Sequence, residues 1–214
     1  EDLPLKRITL GGEISGQFIL SALQKAYPAA RVIHIYASTE AGVGFTVRDG
    51  LEGFPVKLLE SGEGVELKIE NGTLWIKSKR ASDKLLKGKI TTDSDGYIDS
   101  GDLVEMKGER VYFLGRDSGS INVGGNKVIP EEIETIINSL DYVLESRVYG
   151  KSNSILGMIV VADVVVCQPR GLDKKEIKKN LIEYCRAKLE SFKVPAMLKF
   201  VDFIEVNEIG KVQR

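Results

Sequence analysis

The chain has 214 residues, 43% of them hydrophobic and 29% charged, ordinary usage for a globular protein large enough to bury a core without disulfides. Thirty basic against 31 acidic side chains leave a net charge of −1, so no basic field marks a nucleic-acid or anionic-membrane binder. The longest apolar run, residues 158–166, contains Asp163 and falls far short of the roughly 20 residues a membrane span needs.

Residues 5–10 predict a strand. Phe18, Ile19, Ala22 and Leu23 recur at helical spacing within 15–26, and the β-branched stretch 31–36 predicts a second strand. Gly11-Gly12 ends the first strand and residues 38–44 follow the second, where α/β sheets keep their ligands. Residues 44–114 read as β, with short alternating runs at 64–69, 73–77 and 111–114 and turn signals at Ser61-Gly62, Asn71-Gly72, Asp95-Gly96 and Lys107-Gly108. Asn71-Gly72 between two such runs predicts a hairpin. Regular short strands of this kind suggest a small barrel or sandwich. A Gly-rich hairpin over 118–128 then leads into Pro130-Glu131-Glu132, a helix start with acids at the positive dipole end. Strands follow at 143–149 and 157–166, a helix capped by Asp173 runs to Leu189, and a last strand covers 198–203.

Several chemistries fail on their residue patterns. No G-x-G-x-x-G is present, and residues 119–127 lack the Gly-Lys-Ser/Thr ending of a phosphate loop. Residues 91–102 place Asp93, Asp95 and Gly96 as a calcium loop does, but Thr91 and Asp102 stand at its ends and the flanks read as β. His34 has no partner at ligand or triad spacing and reads as a satisfied structural histidine. Cys167 and Cys185 have no metal spacing and read as small buried hydrophobes, as a reducing cytoplasm allows.

Four stretches remain. Tyr36, Thr39 and Glu40 put an aromatic ring, a hydroxyl and a carboxylate on one loop, able to stack a base, touch a phosphate and hold a metal; a plain loop is the alternative. Asp99-Ser100-Gly101-Asp102 ends a β stretch and reads as a turn or a ribose-binding carboxylate. Residues 115–119 form a charged turn that reads as a linker, and Gly210-Lys211 stands in the tail.

In order, Tyr36-x-x-Thr39-Glu40, Ser100-Gly101-Asp102, Gly115-Arg116, the Gly124-Gly125 hairpin with Pro130-Glu131-Glu132-Ile133-Glu134, and Gly210-Lys211-Val212-Gln213-Arg214 resemble the adenylate-forming superfamily. That family holds acyl- and aryl-CoA synthetases, firefly luciferase and the adenylation domains of peptide synthetases. The resemblance extends from Gly11 to Arg214.

It implies joining of a carboxylic acid to ATP and transfer of the acyl group to the CoA thiol. Gly12 and Glu13 match the segment lining the adenine and acyl pocket, and Tyr36 the aromatic stacked on adenine. Thr39 matches the phosphate-contacting hydroxyl, Glu40 the Mg²⁺-holding carboxylate, Asp102 the ribose ligand and Arg116 a second nucleotide contact. Lys211 matches the mobile catalytic lysine, and Gly124 and Gly125 the hairpin of the CoA tunnel. No general-base histidine is needed, because a carboxylate is already a nucleophile. The sequence departs at Ala37, Ser118 and Glu208, lacks the family's Glu around Gly72-Thr73-Leu74, and lacks the family's Ser/Thr/Gly-rich phosphate loop.

The expectation is therefore the C-terminal portion of a cytoplasmic acid–CoA ligase, active as part of a longer parent and inactive alone. Residues 1–43 end a large α/β domain, 44–115 form its β-barrel-like subdomain, 116–119 are a hinge and 120–214 a mobile α+β domain. Substrates are ATP, CoA and a carboxylic acid, of the fatty acid metabolism type among others; nucleic acid and a membrane span are not expected. Two rivals stand beside this reading. One is an adenylation domain that loads a carrier protein or stops at the acyl-adenylate. The other is a non-catalytic binding or regulatory piece.

Overall fold

A computed structural model describes residues 4–38, 42–60, 64–78, 92–167 and 173–205. Contacts within the chain divide it into two compact units, Glu1–Leu114 and Gly115–Arg214. In chain order the elements are β1 (Arg7–Gly11), α1 (Gln17–Ala26), β2 (Arg31–Ser38), β3 (Gly42–Val47), β4 (Phe54–Pro55), α2 (Lys57–Glu60), β5 (Val65–Glu70), β6 (Thr73–Ser78), β7 (Ile98–Lys107) and β8 (Arg110–Arg116). A 3-10 turn (Asp117–Gly119) then leads to β9 (Ile121–Val123), β10 (Asn126–Val128), α3 (Pro130–Asn138), β11 (Val143–Asn153), β12 (Gly157–Val166), α4 (Lys174–Lys188) and β13 (Met197–Phe200).

In the first unit β1 and β2 pair in parallel through the crossover helix α1, and β3 adds antiparallel to β2. Helix α1 starts at Gly16 without a side-chain cap of its own. Its N-terminus is instead satisfied at a distance. The Gln17 amide donates to Glu52 Oε2 at 2.6 Å, and the Glu52 amide donates back to Gln17 Oε1 at 3.1 Å. Arg110 holds the same loop, donating to Asp49 at 2.7 Å and to the Glu52 carbonyl at 2.8 Å. Burial opposes ionisation of Asp49, but the hydrogen bonds from Arg110 and the Leu51 amide outweigh it and keep the carboxyl below its usual range. His34 is the satisfied structural histidine the sequence suggested, its Nε2 lying 2.9 Å from the Gly53 carbonyl.

A second sheet of the same unit runs in the order β4-β8-β7-β6-β5, an open path among the described residues. Asn71-Gly72 makes the expected hairpin between β5 and β6, with both residues at positive φ. Phe45 and Val47 of β3 pack with Phe54, Val65, Leu67, Leu74, Ile76, Val104 and Val111 of the second sheet in one apolar core. Strand β3 therefore runs across residue 43 and serves both sheets. The calcium-loop-like stretch is a turn in which Asp93 Oδ1 accepts from the amides of Asp95 and Tyr97, while Oδ2 pairs with Lys68 at 2.5 Å.

The second unit is a sheet ordered β10-β9-β12-β11 with β13 beside β12. Ile133 and Ile137 of α3 and Leu181 and Cys185 of α4 pack on Val148, Val160, Ala162 and Val164. Pro130 stands in the first turn of α3, and Asp173 and Glu176 form a capping box on α4. Asp163, the one acid in the apolar run, is buried and takes a 2.7 Å hydrogen bond from Arg147.

One expectation is corrected here. Cys185 is buried, but Cys167 is exposed. It stands one residue beyond β12, whose continuous buried run over 160–164 has already given way to half-buried residues at 165 and 166.

Burial raises the Cys185 thiol from 9.0 to about 11. The unfolded chain then loses this proton at lower pH than the folded one. Stability is full below the ordinary thiol value and falls as pH rises from there through about 11. Urea unfolding of wild type and Cys185→Ala should show this as an excess alkaline loss in wild type of about 2 kcal/mol. Parallel pH profiles would contradict it.

Candidate functional site

Four sequence-predicted residues, Gly12, Glu13, Tyr36 and Asp102, lie at one edge of the first unit. Strands β1 and β2 are parallel with Gly11 opposite Ile35, so Gly12 and Glu13 leave the C-terminal edge beside Tyr36. That edge is where parallel sheets bind ligands. Tyr36 donates from its hydroxyl to Asp102 Oδ2 at 2.5 Å, across 66 residues of sequence.

Both partners are aimed by irregular strands. On β3 the register steps from Phe45 opposite Tyr36 to Val43 opposite Ala37, leaving Gly44 as an extra residue. On β7 it steps from Asp99 opposite Trp75 to Leu103 opposite Thr73, leaving surplus residues between. Each is a β-bulge, which bends a strand and redirects a side chain. The second bulge uses Gly101 at φ +68, a conformation that glycine adopts without strain. Ser100 braces it, donating to the Leu74 carbonyl at 2.7 Å and accepting from the Asp102 amide at 3.1 Å. The sequence placed Asp99–Asp102 at the end of a β stretch or in a turn. The structure places it inside β7, and the bulge turns Asp102 inward to 7% exposure.

The Tyr36 ring stacks on Phe45 and on Phe113, with centroids 5.1 Å apart in both pairs and interplanar angles of 15° and 7°. Phe54 tilts against both phenylalanines. These rings fix the direction of the phenol (aromatic pairs contribute about 0.5–1.5 kcal/mol beyond area burial). Phe45, Phe113 and Gly44 were not singled out in the sequence. A glycine breaking the alternation between Val43 and Phe45 was the one available signal.

The other expected residues fall elsewhere. Arg116 is exposed at the end of β8 and precedes the 3-10 turn. Gly124 and Gly125 form the two-residue turn between β9 and β10, both at positive φ as that turn requires. The Gly125 amide donates to Asn122 Oδ1 at 2.9 Å, and the Gly124 amide to the Leu156 carbonyl at 3.0 Å. Thr39, Glu40 and Lys211 lie outside the described residues. No group of three His, Cys, Asp or Glu that could hold a metal occurs among the described residues. No helix there is long and apolar enough to cross a membrane.

The geometry has a tyrosine hydroxyl, a nearly buried carboxylate and a glycine-lined strand end at one sheet edge. Such a set can bind a hydroxyl-bearing sugar. Residues 132–211 match the AMP-binding enzyme C-terminal domain. The chain as a whole is similar to the C-terminal part of adenylate-forming ligases.

A 2-succinylbenzoate–CoA ligase of Listeria innocua is 28% identical over 98% of this chain and 45% of its own length. A 3,4-dihydroxybenzoate–[aryl-carrier protein] ligase of Bacillus anthracis is 38% identical over 58% of this chain and 28% of its own length. The crystal structure of ATP-bound MatB from Rhodopseudomonas palustris has the same fold, with a TM-score of 0.78 and 24% identity over 96% of this chain and 43% of that one. The chain thus spans less than half the length of the curated relatives it matches.

Tyr36→Phe removes the donor to Asp102 and leaves that carboxylate one partner fewer. A loss of about 1–2 kcal/mol is expected, read as a lower urea midpoint at unchanged slope. An unmoved midpoint would contradict a stabilising role for the contact.

Proposed function

We propose that the chain supplies the nucleotide-binding edge and the C-terminal domain of an ATP-dependent acid–CoA ligase. The observation that carries the reading is the 2.5 Å Tyr36–Asp102 hydrogen bond. It joins two motifs, each weak alone, at the edge of a parallel sheet where a nucleotide would be bound.

In this account Gly12, Glu13 and Tyr36 line the adenine pocket, and Asp102 accepts from ribose hydroxyls. A carboxylate has about four lone-pair sites and can accept from more than one donor at a time. Thr39 donates to a phosphate oxygen. Glu40 would hold Mg²⁺ together with phosphate oxygens, a donor set that suits this ion, and the metal would neutralise phosphate charge. Lys211 sits between the acid's carboxylate and the α-phosphate and offsets the charge that develops there. One carboxylate oxygen forms a bond to the α-phosphorus as the bond to pyrophosphate breaks. The thiol of CoA then attacks the acyl carbon, and AMP leaves.

Residues 116–119 serve as the hinge on which 120–214 turn between the two half-reactions, bringing in Lys211 for the first and the Gly124-Gly125 hairpin for the second. Alone, the chain turns over poorly, because the phosphate loop of the family is absent from it. A carrier protein as acceptor is the second reading, favoured by the 38% identity to an aryl-carrier protein ligase. CoA-dependent release of AMP by the longer protein separates the two.

The test is acid-dependent ATP–pyrophosphate exchange in the longer protein, over fatty, aryl and amino acids. Lys211→Ala should abolish exchange and spare thiol transfer from a preformed acyl-adenylate. Equal loss of both half-reactions would assign Lys211 another role. Asp102→Ala should raise the KM for ATP about tenfold, the effect of losing one charge-assisted hydrogen bond. An unchanged KM would remove Asp102 from the site.

A further inference from the structure

We propose that Gly44 is a positioning residue of the nucleotide site, acting through Tyr36 on Asp102; this rests on the reading above. Gly44 is the surplus residue of the β3 bulge, directly beside Tyr36 on the neighbouring strand. A Cβ at this position would stand 2.8 Å from Tyr36 Cδ1, 3.4 Å from Cε1 and 3.2 Å from the Tyr36 carbonyl oxygen. The first distance is shorter than any ordinary carbon–carbon contact, and the last is to backbone that cannot swing aside.

The ring has little room to yield, because it is already stacked on Phe45 and Phe113 at 5.1 Å. In this pose its hydroxyl reaches Asp102 at 2.5 Å. The absence of a side chain at 44 therefore lets the ring lie against β3, and that pose brings the phenol to the carboxylate. The requirement is for space alone, since Gly44 does not take the left-handed conformation. The bulge itself marks a place where strand geometry was altered to aim a side chain.

The test is a double-mutant cycle on the 214-residue chain, with AMP as the titrated probe. Gly44→Ala should weaken AMP binding about tenfold. In a Tyr36→Ala background, where the ring is gone, the same substitution should change affinity less than about twofold. Additive effects of the two substitutions would overturn the proposal. A general structural role for Gly44 would persist in both backgrounds and is distinguished in this way.

Should Gly44→Ala alone fail to fold, restoration of folding by Tyr36→Ala supports the proposal, and failure to restore it overturns it. Absence of AMP binding by the wild-type chain would sink the nucleotide reading instead. The same cycle read by urea unfolding then decides the positioning, with coupling expected and additivity contrary to it.

Discussion

The first unit depends on one contact, the hydrogen bond from Tyr36 to Asp102. It is short and joins strands of two different sheets, and its acceptor is a carboxylate at 7% exposure. A carboxylate so placed needs partners, since an unpaired buried acid is costly. The contact therefore constrains both strands at once. Tyr36 must project toward the second sheet, and β7 must turn Asp102 inward. Each demand is met by a bulge, with Gly44 on β3 and Gly101 within β7. The aromatic cluster of Phe45, Phe54 and Phe113 then holds the phenol in line. Core packing and site geometry are thus the same residues seen from two sides.

Much of the fold was legible because periodicity and punctuation agreed. The alternation on either side of Asn71-Gly72 and the Pro130-Glu131-Glu132 start of α3 specify their elements locally. So does Asp173 before the 3.6-residue repeat of α4. These features need no partner from elsewhere in the chain. The bulges were not legible, because a register shift belongs to a pair of strands and leaves only a lone glycine in each sequence. For the same reason Asp99–Asp102 looked like a turn. Cys167 misled in a simpler way. Its apolar context ended one residue earlier, at Val166.

For the candidate site, residue types were legible and their proximity was not. Tyr36 and Asp102 were each picked out by motif, but nothing in composition or spacing says that residues 66 apart share a hydrogen bond. Phe113 is invisible as a site neighbour until β8 is placed, since its sequence context reads as ordinary strand. In the second unit the reverse holds. The Gly124-Gly125 turn is fully specified by its own two residues, and its tie to the Leu156 carbonyl is what only the fold supplies.

The most direct measurement is residue-resolved NMR of this chain while AMP is added. The account predicts saturable shifts that begin at Gly12, Tyr36, Gly44, Gly101 and Asp102, together with a change at the Tyr36 hydroxyl as ribose reaches the carboxylate. Shifts confined to other surfaces, such as the cleft beside α1 lined by Gln17, Gln24 and Asp49, would contradict it.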